Sequence, residues 1–172
     1  MSWLFTYGDL MGQLLLRSYD AQPALLTNYH RAFNHTSTLL WGSLDHPSPY
    51  LGLSPGGQCW GVALRVSWLE RRSLRRRVEP QENAQEYRRI RVPIKVADGR
   101  TETALVWISR PPHADSARWT EAALTDAFLD AHGTAGRGVE YVRTVMHALG
   151  LWDISDPLIE DLWRRLESWR PR

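Results

Sequence analysis

The strongest constraint on the fold is a strict two-residue alternation near the middle of the chain. Ile90, Val92, Ile94 and Val96 alternate with Arg89, Arg91, Pro93 and Lys95, the pattern of a strand with one apolar and one solvated face. Pro93 has no N–H for a ladder, which predicts a sheet edge or a bulge at that point. Asp98-Gly99 then predicts a hairpin turn into a strand over residues 102–109. Trp60, Val62, Leu64 and Val66 repeat the alternation against Gly61, Ala63 and Arg65. Residues 3–7 read as another strand, residues 10–17 as a short helical turn, and residues 25–36 as a strand with Tyr29, Arg31 and Phe33 on one face. Residues 41–57 read as loop, because Pro47, Pro49, Pro55, Gly56 and Gly57 punctuate them.

Beyond Arg110-Pro111-Pro112 the period changes to that of a helix. Residues 117–131 carry Ala123, Leu124, Ala127, Phe128 and Ala131 at helical spacing, and residues 139–149 place Val139, Val142, Val145, Met146 and Leu149 on one stripe. Residues 156–169 begin with Pro157 in a first-turn position and carry Leu158, Leu162 and Leu166 four apart. Strands first and helices last predict an α+β domain built on a small mixed or antiparallel β-barrel flanked by helices. No linker divides the chain, so residues 1–172 read as one domain.

Composition narrows the function classes. An apolar content of 43% with nine tryptophans supports a real core, and a formal charge of +2 gives no overall bias towards nucleic acid. The single cysteine, Cys59, permits no internal disulfide, fits a reducing compartment, and reads as a small core hydrophobe. No signal peptide or membrane span is legible, so a soluble, cytoplasmic protein is expected. On that expectation the sequon Asn34-His35-Thr36 is a chance match. The run Arg71, Arg72, Arg75, Arg76, Arg77 reads as a solvated helix face in preference to an RNA-binding one. The six histidines show no zinc spacing. Ser37, His35 and Asp45 lack a nucleophile elbow, which makes a hydrolase triad a weak reading.

One place invites chemistry. Trp3-Leu4-Phe5 leads into Tyr7-Gly8-Asp9-Leu10, a strand ending in a tight loop whose amides can hold a carboxylate or a developing oxyanion. A carboxylate from elsewhere in the chain, Glu82, would then move protons in that pocket.

With these segments in place, the chain resembles the γ-glutamylcyclotransferases, in particular their ChaC-like, glutathione-degrading branch, over nearly its whole length. Tyr7-Gly8-Asp9-Leu10 resembles the branch's Tyr-Gly-Ser-Leu motif, and Tyr29-His30-Arg31-Ala32-Phe33 its aromatic-Arg-x-Phe strand. Residues 56–63 match its Gly-Gly-x-Cys-Trp-Gly-Val-Ala strand, the most specific run. Residues 78–82, then Tyr87, resemble its Leu-x-x-Arg-Glu segment, and residues 131–141, ending in Glu140-Tyr141, its Ala-His-Gly segment. Three departures stand out: Asp9 where the motif has serine, Gln81 where it has arginine, and Gly138 where it has asparagine.

The resemblance implies a barrel flanked by helices and release of 5-oxoproline from a γ-glutamyl compound, glutathione in this branch, with cysteinylglycine as the other product. It implies Glu82 as the proton shuttle and Tyr7, Gly8, Asp9, Leu10, Arg31 and Tyr141 as substrate-binding residues. The reaction requires no metal, cofactor or covalent nucleophile, and the implied partner is a small molecule with no nucleic acid or membrane. Residue by residue, plainer readings stay open: a core aromatic for Tyr7 and Tyr141, a surface strand residue for Arg31, a solvated loop glutamate for Glu82. The alternative function is a catalytically silent relative that binds a small metabolite or a protein partner, favoured by Asp9 and Gln81.

Overall fold

The alternating segment and the turn that follows it form the hairpin the sequence predicts. In the computed structural model, which describes residues 2–15, 20–67, 84–111 and 119–169, strands Tyr87–Val96 and Thr101–Ser109 pair antiparallel from Tyr87↔Ser109 to Lys95↔Thr101. Gly99 adopts a φ of 85° at the turn. Numbered in chain order, the strands are β1 (Ser2–Thr6), β2 (Ala21–Ser37), β3 (Ser48–Val66), β4 (Tyr87–Val96) and β5 (Thr101–Ser109). They close into a barrel in the order β1-β3-β2-β4-β5. All neighbours are antiparallel except β1 and β5, which run parallel through Trp3↔Ala104 and Leu4↔Leu105 and close the ring. Pairing of β2 with β4 reaches only Ile94, so Pro93 sits where β4 has β5 alone beside it. That is the sheet edge predicted for it.

Residues 41–57 differ from their expected loop. Residues 48–57 belong to β3, which pairs with β2 along most of its length. The punctuating residues mark bends in a continuous strand. Gly56 and Gly57 have φ of 90° and 67°, and Asn28 opposite them has φ of 67°, at the register shift between Thr27 and Tyr29. A left-handed pair of this kind bends a strand without ending it. The alternation over residues 60–66 is also two-sided in a way its pattern hides. Val62, Leu64 and Val66 are buried on one side, and Cys59 and Ala63 pack into the barrel interior with Phe5 and Leu26.

Among the described residues, four α-helices accompany the barrel: α1 (Leu10–Leu15), α2 (Glu121–Asp130), α3 (Gly138–Leu151) and α4 (Pro157–Ser168). Thr120 caps α2 through the Ala123 amide, and Asp156 caps α4 through the Ile159 amide, with Pro157 in the first turn. Phe128, Val142, Val145, Leu149, Ile159 and Leu162 form a second core between these helices and the Phe33–Leu51 stretch of β2 and β3. Asn34 of the sequon is fully buried inside the fold. Glu82, Gln81 and the arginines over residues 71–77 lie outside the described residues. Among the described residues, no helix is long and apolar enough to cross a membrane.

Candidate active site

The end of β1 is fixed from behind by a buried cation. Arg31 donates through Nε to the Tyr7 carbonyl at 2.7 Å and through Nη2 to the Trp60 carbonyl at 2.7 Å. Its Nη1 pairs with the Asp156 carboxylate that caps α4. One side chain therefore ties the β1 loop, β3 and the helix of residues 157–168 together, and Arg31 is not among the residues that line the cleft described next. From Tyr7 the chain turns through Gly8, whose carbonyl accepts the Met11 amide at 3.1 Å, and Asp9, whose carbonyl accepts the Gly12 amide at 3.1 Å. Asp9 thus occupies the position immediately before α1, where serine and aspartate are both good helix caps.

The loop opens onto a cleft lined by Tyr7, Gly8, Asp9 and Leu10 with Tyr50, Leu51, Tyr87, Trp107 and Tyr141. Its far wall is built on Leu51, next to the bulge between Phe33 and His35. The Tyr87 hydroxyl donates to the Leu51 carbonyl at 3.0 Å, and the Leu51 amide donates to the Tyr141 hydroxyl at 3.3 Å. The Tyr7 hydroxyl donates to the Trp107 carbonyl at 3.0 Å, and the Tyr50 ring stacks on that of Tyr141 at 4.8 Å. Burial raises the pKa of Tyr7, Tyr87 and Tyr141, so all three are neutral donors and acceptors.

Among the described residues, Asp9 is the one with a charged side chain that lines this cleft. Part of it reaches solvent, but loss of hydration among the aromatics pushes its carboxyl up to about 6, against the pull of the Asp9 and Leu10 backbone amides. An acid moved into the neutral range inside a cleft is a mark of functional sites.

Behind Tyr87 lies a polar chain that no local motif announces. His35 stacks on the Tyr87 ring at 4.0 Å, with Nδ1 2.8 Å from Glu86 Oε2 and Nε2 2.7 Å from Ser109 Oγ. Ser109 donates to Asn34 Oδ1 at 3.1 Å, and Asn34 donates to Ser54 at 3.0 Å. The order serine–histidine–glutamate resembles a hydrolase triad, but Ser109 is 1% exposed and its hydroxyl is spent on Asn34. Ser37 Oγ accepts the Trp41 amide at 2.9 Å.

Of the residues expected at the site, Tyr7, Gly8, Asp9, Leu10 and Tyr141 meet in the cleft, Arg31 stands behind it, and Glu82 lies outside the described residues. Tyr50 and Trp107 join them with no local sequence signal; Tyr87 was visible as the tyrosine following Glu82. Gly138 has a packing reason: a Cβ there would meet the Phe128 carbonyl at 2.8 Å, so the asparagine of the motif would not fit unchanged. Among the described residues, no group of three or more His, Cys, Asp or Glu side chains is placed to hold a metal. A larger groove lies elsewhere on the barrel, lined by Arg65, Arg89, Arg91 and Arg100. Arg65 pairs with Asp20 at 3.7 Å, and Arg100 with Asp98 at 2.7 Å and Glu102 at 3.7 Å, all at the exposed surface.

The architecture and the sequence both have relatives. The ChaC-like protein family matches residues 2–168. A protein of Escherichia coli (strain K12) named glutathione-specific gamma-glutamylcyclotransferase is 27% identical over 165 residues, spanning 93% of this chain and 70% of its own length. Two crystal structures of a yeast γ-glutamyl cyclotransferase specific to glutathione share the fold. One has a TM-score of 0.85 at 16% identity, covering 98% of this chain and 96% of its own. The other has a TM-score of 0.83 at 17% identity, with 99% of each chain covered.

Proposed function

Because the chain belongs to the ChaC-like protein family, we propose that it is a γ-glutamylcyclotransferase that converts glutathione to 5-oxoproline and cysteinylglycine. The observation that carries this reading is convergence. Tyr7–Leu10, Tyr87 and Tyr141, far apart in sequence, line one cleft of the barrel. The named specificity of the Escherichia coli relative supports glutathione as the γ-glutamyl compound.

The chemistry is an intramolecular attack by the substrate's α-amino nitrogen on its own γ-carbonyl carbon. The C–N bond of the ring forms, the amide C–N bond breaks, and a proton passes from the attacking to the leaving nitrogen. Because the nucleophile is tethered, the protein's work is to fold the substrate and manage the proton. Glu82 is assigned that proton, taking it from the α-amine and returning it to the leaving nitrogen. Tyr7–Leu10 and Tyr141 bind the γ-glutamyl part, and Arg31 supports the loop through the Tyr7 carbonyl. The chain works in the cytoplasm on this reading, which the free, buried thiol of Cys59 supports.

Release of 5-oxoproline from a panel of γ-glutamyl peptides and amines tests the function. Turnover of glutathione is expected. No product from any member, by a protein that melts cooperatively, would leave the binding-only reading, which the Asp9 carboxylate in the loop favours. Glu82→Gln is expected to lower turnover by about 10²–10⁴-fold with unchanged melting; full activity in that variant removes Glu82 from the mechanism.

A further inference from the structure

The cleft is unusual in what it offers a ligand. Among the described residues its charge comes from one carboxylate, Asp9, and its walls are the rings of Tyr7, Tyr50, Tyr87, Trp107 and Tyr141. No described lysine, arginine or histidine lines it; Arg31, which supports the loop, is committed to Tyr7, Trp60 and Asp156. A carboxylate set among aromatic rings is the arrangement that holds an ammonium group, through charge and through the negative ring faces. The backbone amides of Asp9 and Leu10 favour the charged form of the Asp9 carboxyl, against the larger effect of lost hydration.

Resting on the reading above, we propose that Asp9 is the specificity-determining residue of this cleft, its carboxylate receiving the α-ammonium group of the γ-glutamyl ligand. Aspartate and serine are both residues that suit the position before a helix, so the exchange changes the charge of the site more than the local preference of the chain. Among the described residues, the titratable groups that line the cleft with Asp9 are Tyr7 from its own loop, Tyr50 from β3, Tyr87 from β4 and Tyr141 from α3. All are neutral at physiological pH, so the charge of the described cleft follows Asp9 itself. Recognition of the ammonium group then weakens as pH falls through about 6, where Asp9 takes up its proton.

The test is calorimetric titration of the full chain with two small probes, L-glutamine and glutaramate, which differ by the amino group. At pH 8 the protein is expected to favour L-glutamine by about ten-fold or more, the worth of one charge-assisted contact. That preference should vanish at pH 5, and in both Asp9→Asn and Asp9→Ser at pH 8. A preference retained by Asp9→Ser, or a wild-type protein that favours neither probe or binds neither, overturns the proposal. The two readings fail separately. Preference without 5-oxoproline release from any substrate sinks the enzyme and keeps the ammonium site. Release of 5-oxoproline with an unchanged pH profile and probe preference in Asp9→Ser sinks the ammonium site and keeps the enzyme.

Discussion

Two concavities on this barrel make opposite use of charge. Among the described residues, the arginine groove of about 500 Å³ carries four guanidinium groups, whereas the aromatic cleft of about 60 Å³ carries one carboxylate. In the groove the side chains are exposed, and Arg65 and Arg100 are paired with acidic neighbours, so water and salt screen them. In the cleft the single charge has lost much of its hydration, and its pKa has moved from the usual carboxylate value to about 6. Desolvation, more than size or number of charges, separates a site from a surface.

Substitutions graded by burial sharpen that contrast. The largest effect belongs to Arg31→Ala, which removes the buried link between Tyr7, Trp60 and Asp156. Urea denaturation should show a loss of about 3–5 kcal/mol, with 5-oxoproline release lost as the loop comes free; a variant of normal stability would mean that the loop stands without this anchor. Asp9→Asn should act the other way. The native carboxyl holds its proton more tightly than the unfolded chain does, from 3.8 to about 6. The stability it contributes is therefore complete in acid and lost as pH rises through about 6. The variant should be more stable than the parent by about 1–3 kcal/mol at pH 8 and equal to it at pH 3. A constant difference across that range would assign the gain to packing.

Tyr141→Phe leaves the Leu51 amide without its hydroxyl partner. It should cost about 1–3 kcal/mol in thermal melting, with the ring stacking on Tyr50 intact. Smallest of all, Arg89→Ala combined with Arg91→Ala in the groove should change stability by no more than about 0.5 kcal/mol and leave 5-oxoproline release unchanged. A marked loss of activity there would break the comparison and give the groove a function.

What the sequence reveals follows the range of the interactions. The β4–β5 hairpin and helices α2 to α4 were legible because period, turn and cap residues are local. The Tyr7–Leu10 loop was legible as a motif. The first half of β3 was hidden, because Pro49, Pro55, Gly56 and Gly57 signal a break unless the partner strand is known to bend with them. Arg31 lay within reach as a residue, but its partners are Tyr7, Trp60 and Asp156, and no spacing rule joins them. The chain from Glu86 through His35 and Ser109 to Asn34 was illegible for the same reason: each step crosses between strands.

The parallel seam between β1 and β5 has a consequence for how the molecule is made. Trp3 finds Ala104 and Leu4 finds Leu105, and β1's other neighbour, β3, pairs with it through residues as late as Val66. During synthesis the earliest strand has no complete place to dock until the latest has left the ribosome. Contacts this distant along a chain close slowly. The loop that carries Tyr7, Gly8 and Asp9 hangs from the end of β1, so the first part of the site to be translated is among the last to be organised.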